Sequence, residues 1–304
     1  MTVNCMNLNC FLPEDSSRAL LKADFPAMGF EIQLAQLFAE DIPWHSIAEM
    51  EIILVESGSL TVMIPHQQIM LESGNGIWIN SEVLHQLSAK EYCRFRMIEF
   101  SANLVNGCEN SRIAEKYISP LINCHALHTF ILLASNREQK QLLSDFSDAF
   151  DQLAAGKFGY EISVRNILSR ICIYICLAHC DAIAECSDPL SIDTVRVIKM
   201  LEYIHSHTDE QLRVSSLSSV VHVSNREIIR CFQRELHISP VQYALRYRIM
   251  LSAGVLMNER KKSILQTAKQ FGFCRPSYYA RMFKKYFRCT PKEYRSKNGF
   301  VHQC

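Results

Sequence analysis

Two groups of side chains in the last third of the chain have the types and spacing for one kind of chemistry. Asn225, Arg226, Ile229, Arg230 and Gln233 fall on one side of a helical wheel, and Ser277, Tyr278, Arg281, Lys284 and Lys285 do so again further on. A guanidinium is a planar fork of N–H donors that forms a bidentate pair with O6 and N7 of guanine. Small polar residues between the cations let the backbone come close. A helix carrying such a face fits the major groove of B-form DNA.

The elements that must hold these faces form a repeat. Arg230 answers Arg281, Phe232 answers Phe283, Leu236 answers Phe287, Pro240 answers Pro291 and Tyr243 answers Tyr294, each pair 51 residues apart. One supersecondary unit used twice fixes the local architecture. In the first copy Leu217, Val220 and Val221 give an inward helical face. His222-Val223 makes a turn, and Ser224 with Glu227 has the spacing of a capping box. The next helix buries Ile228, Cys231, Phe232 and Leu236. In the second copy Ile264, Ala268 and Phe271 face inward, Gly272-Phe273 makes the turn, and Pro276 opens a helix that buries Tyr279, Met282, Phe283 and Phe287. Gly272 suits a turn that needs a left-handed backbone.

At Ala268, Gly272, Phe273, Tyr278, Arg281, Phe283, Lys284, Lys285, Phe287, Pro291 and Tyr294 the chain resembles the AraC family of bacterial transcription regulators, over roughly residues 191–297. The resemblance implies two helix-turn-helix units joined by a long helix, here Val241 to about Asn258, with recognition helices entering successive major-groove segments. Such segments lie about 34–36 Å apart, which requires a rigid connector. It assigns base reading to Arg226, Ile229 and Arg230 in the first unit and to Ser277, Tyr278 and Arg281 in the second. Arg234, Lys284 and Lys285 are assigned to phosphates, which position without reading sequence. Cys274-Arg275 departs from the Ser-Asp often found there. That removes a capping side chain, at a cost of about 1 kcal/mol.

The net charge of +1 conceals a division. From Leu190 onward 20 Lys and Arg face 8 Asp and Glu, whereas the preceding residues carry 12 against 23. A basic part beside an acidic one points to nucleic acid on one side only and to an attraction between the parts that salt weakens. Met1 to Leu12 lacks the charged start and apolar core of an export signal. The longest apolar run, Ile171 to Ala178, falls well short of the roughly 20 residues a membrane span needs. Thirteen cysteines in such a chain are expected as reduced thiols. A cytoplasmic protein is expected, with no membrane partner.

Upstream, Phe30 to Phe100 breaks into short β runs with turn residues between them, the pattern of a small barrel or jelly roll. Ile52 to Val55, Leu60 to Ile64, Gly76 to Ile79 and Cys93 to Phe100 are examples. Here the chain resembles a cupin sensor, such as often precedes the AraC-type unit. By that resemblance His45, Glu51 and His85 converge in the barrel, where they contact a small polar effector; the alternative reading is that His45 and His85 only close hydrogen bonds at the barrel mouth. Ile47 stands where metal-binding cupins carry a second histidine; the three remaining groups could still hold a metal, but the resemblance implies a sensor cupin without one, so no metal or other cofactor is expected. Residues before Gly29 are read only as an arm or an edge strand.

From Cys108 to Ser187 the periodicity turns helical. Leu142, Leu143, Phe146, Ala149, Phe150 and Leu153 form one stripe, and Ile167, Leu168, Ile171, Ile175 and Ala178 another. Cys172, Cys176 and Cys180 recur every four residues and are read as packing. The second helix is apolar enough to need a partner, so a homodimer is expected. Cys186 to Leu190 reads as the linker, its Asp188-Pro189 breaking the preceding helix, Asp193 as the opening of the next helix, and residues 299–304 as a disordered tail.

The expected fold is α+β in two domains: an N-terminal cupin-like β-barrel with trailing helices, then an all-α double helix-turn-helix joined by a linker helix. Its divisions are a sensing domain at 1–108, a helical dimerisation segment at 109–187 and a DNA-binding domain at 188–298, with its units at about 212–236 and 264–287. The expected function is that of a sequence-specific regulator, an activator, with no catalytic residues. Its partners are double-stranded DNA, a small effector such as a sugar and, for an activator, RNA polymerase. Two other classes stay open at this point: a metal-dependent cupin enzyme, and a nucleic-acid binder without an effector.

Overall fold

The computed structural model describes residues 17–20, 25–34, 41–108, 110–186, 190–259 and 261–297. The expected arm before residue 17, most of the linker at 187–189 and the tail after 297 lie outside the described residues.

Among the described residues, ten antiparallel strands make two facing sheets. The larger has the order β1 (Ser17–Leu20), β2 (Ala27–Leu34), β9 (Cys93–Phe100), β4 (Met50–Ser57), β7 (Gly76–Ile79), β10 (Thr129–Leu132). The smaller has the order β3 (Asp41–His45), β8 (His85–Ser88), β5 (Ser59–Ile64), β6 (Gln67–Glu72). Strand alternation sends Phe30, Ile32, Ile53, Val55, Val62 and Phe95 into the space between the sheets. Met50, Ile52, Leu54, Trp78, Ile98 and Phe100 face the other way, and two helices cover them. Strand β4 is therefore buried on both faces. Gly58 closes the β4–β5 turn at φ +79°, where any Cβ would sit 2.1 Å from the Tyr92 carbonyl oxygen.

The helical segment holds α1 (Ala102–Asn106), a π-helical turn at Ala114–Ile118, α2 (Ser119–Ile122), α3 (Arg137–Ala155), α4 (Tyr160–Ala178) and α5 (Cys180–Glu185). The six expected stripe residues of α3 are all buried, and α4 buries Ile167, Leu168, Ile171 and Ile175. Two expectations are corrected here. Strand β10 interrupts the helical run, pairing with β7 from Thr129↔Ile79 to Leu132↔Gly76. The cysteine stripe also breaks, since α4 ends at Ala178; Cys172 and Cys176 are core residues, but Cys180 is exposed on the next helix.

Beyond the linker come α6 (Ile192–Ser206), α7 (Val214–Val221), α8 (Asn225–Leu236), α9 (Pro240–Asn258), α10 (Ile264–Gln270), α11 (Pro276–Phe287) and α12 (Pro291–Lys297). Ser191, not Asp193, caps α6, its side chain accepting from the Thr194 N–H. The pair α7–α8 is the first helix-turn-helix unit and α10–α11 the second, with α9 between them. The second unit has its own core of Ile249, Ala253, Leu256, Ala268, Phe271, Tyr279, Phe283 and Tyr294. The core of the first unit runs without a break into the barrel interior, joining Leu217, Ile228, Phe232, Tyr243 and Met250 to Trp44 and the inner strand residues.

Candidate nucleic-acid interface and buried sensor triad

Helix α8 starts where Ser224 accepts the Glu227 N–H at 3.3 Å. The return bond of a full capping box is not formed, because the Glu227 carboxylate turns to Arg230 at 3.5 Å and to the Cys231 thiol at 3.7 Å. His222, at φ +54°, makes the left-handed turn before it. In the second unit Gly272 takes that role at φ +68°, and Pro276 opens α11 with no capping side chain at Arg275. The inward residues fall as their spacing dictates: Ile228, Cys231, Phe232, Tyr279, Phe283 and Phe287 are buried.

All six residues assigned to base reading stand out from the protein. Arg226, Ile229 and Arg230 are exposed on α8, as are Ser277, Tyr278 and Arg281 on α11. Lys284 and Lys285 are exposed on the same side of α11. The two central arginines are held differently. The Arg230 guanidinium leans on Glu227, whereas that of Arg281 lies 5.4 Å from the Tyr278 ring centroid. Arg234 is exposed too but forms an ion pair with Asp193 of α6, so a phosphate would compete with a carboxylate for it.

The three polar residues of the barrel meet across the sandwich. His45 and His85 are direct cross-strand partners on β3 and β8, and Glu51 reaches them from β4 in the facing sheet. Their exposures are 3%, 0% and 1%, so they are sealed inside the barrel and not set at an open mouth. The Nδ1 atoms of His45 and His85 sit 2.8 and 2.9 Å from the carbonyl oxygens of Pro43 and Val83. In neutral rings this places the proton on Nδ1 and aims the Nε2 lone pair at the triad. His85 Nε2 is 3.1 Å from Glu51 Oε2, an ion-pair distance, though the angle is not that of a well-directed hydrogen bond.

Burial alone would neutralise Glu51, but the charge and proximity of His85 outweigh it and hold the carboxyl below its ordinary range. Burial likewise depresses His85, and Glu51 more than restores it, so His85 rises. For His45 the pull of Glu51 is outweighed: burial, then the charge on His85, push it down to about 4. The resting triad is thus a His85–Glu51 ion pair beside a neutral His45. Glu99, opposite Glu51 on β9, is buried beside that carboxylate and is pushed well above the usual range, so it holds its proton. The three donor groups lie within 4.8 Å of one another, and two imidazole nitrogens with one carboxylate suit a divalent transition metal. An ion fits among them; a sugar does not, with the walls as they stand.

The triad abuts a polar contact that sequence spacing gave no sign of. The Tyr243 hydroxyl of α9 donates to the Trp44 carbonyl oxygen at 2.8 Å. Its oxygen lies 2.7 Å from His205 Nε2 of α6, which must then be the donor, since the single hydroxyl proton is in use. Nearby, Arg246 of α9 pairs with Asp41 of β3, which also accepts from Gln86 at 2.9 Å. His66 at the β5–β6 turn lies 3.5 Å from buried Glu235 of α8. Two cavities of about 220 and 290 Å³ open along this seam, the first lined by Trp44, Tyr243, Arg246 and Tyr247, the second by His66, His125, His128, Thr194 and Glu235.

Known proteins resemble this chain. Residues 28–169 match the family described as AraC-like ligand binding domain, and residues 217–297 match a helix-turn-helix domain. The chain is 25% identical over 279 residues to the uncharacterized HTH-type transcriptional regulator YdeC of Bacillus subtilis, covering 91% of this chain and 94% of that protein. It is 23% identical over 253 residues to the probable transcriptional regulator LumQ of Photobacterium leiognathi, covering 83% and 91%. Among solved structures, ToxT from Vibrio cholerae O395 superimposes with a TM-score of 0.49 at 13% identity, over 91% of this chain and 99% of that one. No helix among the described residues is long and apolar enough to cross a membrane.

Proposed function

The chain belongs to the AraC family of transcription regulators, and from that premise we propose that it reads two adjacent major-groove segments and activates transcription in response to a small effector. DNA binding and a ligand-binding N-terminal domain come with the family. The observation that carries the finer reading is the simultaneous exposure of Arg226, Ile229 and Arg230 on α8 and of Ser277, Tyr278 and Arg281 on α11, with hydrophobic cores behind both helices. Lys284 and Lys285 supply phosphate contacts beside them, and Arg234 joins once it leaves Asp193.

The effector acts on the barrel and its seam with α8 and α9. His45, Glu51 and His85 respond to it at the centre of the barrel; a ligand the size of a sugar has room in the seam cavities or in an opened barrel. Its influence on DNA binding is bounded by its difference in affinity for the two arrangements of the domains. The chain acts as a homodimer and, as an activator, touches RNA polymerase. Burial of the triad argues against an enzyme, because a bound ion would have no space beside it for a substrate.

The test is binding of the full chain to the DNA upstream of its own gene across a salt series, against a scrambled duplex. Affinity that falls steeply with salt yet stays sequence-selective supports the reading. Equal binding to both duplexes across the series rejects sequence-specific recognition of that DNA.

A further inference from the structure

The two recognition helices must keep a fixed separation and phase, since one base pair of slippage changes both. A single buried side chain ties the two units together. Arg248, in the middle of α9, is 7% exposed. Its Nη1 donates to the carbonyl oxygen of Glu210 at 3.0 Å, in the loop that leads into the first unit. The same nitrogen donates to the carbonyl oxygen of Phe271 at 3.3 Å, at the turn of the second unit. The guanidinium carbon lies 5.0 Å from the Phe273 ring centroid, on the far side of that turn. The turn itself presses on the loop: a Cβ at Gly272 would sit 2.6 Å from the Asp209 carbonyl oxygen.

We propose that Arg248 is a positioning residue for DNA recognition, a clamp that fixes the first helix-turn-helix unit against the second so that both recognition helices meet DNA in one register. It touches no base itself. The inference rests on the two-unit reading above and adds to it what sets the phase. The physical reason for arginine is a terminal nitrogen with two N–H groups on a planar cation: backbone carbonyls from two units are satisfied by that one nitrogen while the planar group lies against an aromatic ring. Without the clamp each unit keeps its own core and its own base contacts. What declines is the advantage of binding both elements at once, which depends on the effective concentration of the second unit once the first is bound.

The experiment uses the full chain with a duplex selected by the wild-type protein from random-sequence DNA, variants of that duplex with either half scrambled, and variants with one or two base pairs inserted between the halves. Each inserted pair rotates the second half by about 34–36°. Wild type is expected to prefer the intact duplex over the half-scrambled ones by about 100-fold or more and to lose most of that preference on insertion. Arg248→Met is expected to bind the half-scrambled duplexes within about twofold of wild type while its preference for the intact duplex falls at least about tenfold, with a smaller penalty for insertion. Arg248→Lys, which retains the charge and can satisfy one carbonyl, is expected to lie between them; if the Met variant does not melt like wild type, the Lys variant decides on the same ratio. Equal loss on all duplexes, or an unchanged preference and insertion penalty, overturns the clamp while leaving two-unit reading intact. Wild type that binds intact and half-scrambled duplexes equally overturns both.

Discussion

Single residues carry the most direct tests. Arg281→Ala removes an exposed guanidinium set against Tyr278, and its loss is expected to cost about 1–3 kcal/mol of DNA affinity and to relax preference at one base pair. Binding to a panel of single-base variants checks this: uniform loss across the panel identifies a phosphate contact instead. Glu99 makes the opposite kind of prediction. Its folded pKa is raised by burial, Glu51 and Glu49, so the folded state retains a proton that the unfolded chain releases above its ordinary carboxylate value. Its contribution to stability is therefore present at low pH and lost as pH rises, by about 1.4 kcal/mol for each unit of elevation. Glu99→Gln should raise the melting temperature at pH 7 and leave it nearly unchanged at pH 4. A lower Tm at pH 7 would show that the carboxyl makes a contact the amide cannot replace.

Secondary-structure elements show what was legible in the sequence and what was not. Helices α8, α9 and α11 were readable because caps, turns and inward faces recur at a fixed spacing, and every polar residue assigned outward on the two recognition helices is exposed. The triad was also readable as a set, though not its sealing, because burial depends on how closely two sheets approach. Strand β10 was missed since Thr-Phe-Ile-Leu is an apolar run without a period, compatible with strand or helix alone. The seam between α9 and the barrel left no local mark: Asp41 and Arg246 are 205 residues apart, and Tyr243 reads equally well as a core residue. That seam has a pH signature. Burial, then the charge of His45, push His205 down to about 3. The unfolded chain takes up a proton below about pH 6.5 and the folded one does not, so stability is complete above that value and declines on acidification, by at most about 1.4 kcal/mol per pH unit. His205→Gln keeps a donor for Tyr243 and removes the titration; its stability between pH 6.5 and 4.5 should be flatter than that of wild type. An unchanged slope in urea titrations would place the acid sensitivity elsewhere.

At the scale of the whole molecule, α4 leaves Ile162 and Leu177 exposed at 69% and 70%, with Phe158 fully exposed just before it. A second copy covering this face predicts a dimer at micromolar concentration by sedimentation, and a monomer for Ile162→Glu with Leu177→Glu. Monomeric wild type would reject the interface. The repeat itself carries a larger consequence. Tyr243 and Tyr294 hold the same place in the two copies and pack on the matching Phe232 and Phe283, yet Tyr294 stays within its own unit, while the Tyr243 hydroxyl also reaches the barrel. The interior of the first unit is continuous with the sensor, and that of the second is a separate core that meets it at Leu251. Amide hydrogens of α8 should therefore exchange in step with barrel strands, and those of α11 on a separate clock. Two readers built on one plan would then differ in whom they obey: one senses the state of the barrel directly, and the other learns of it through α9 and the loop at Asp209.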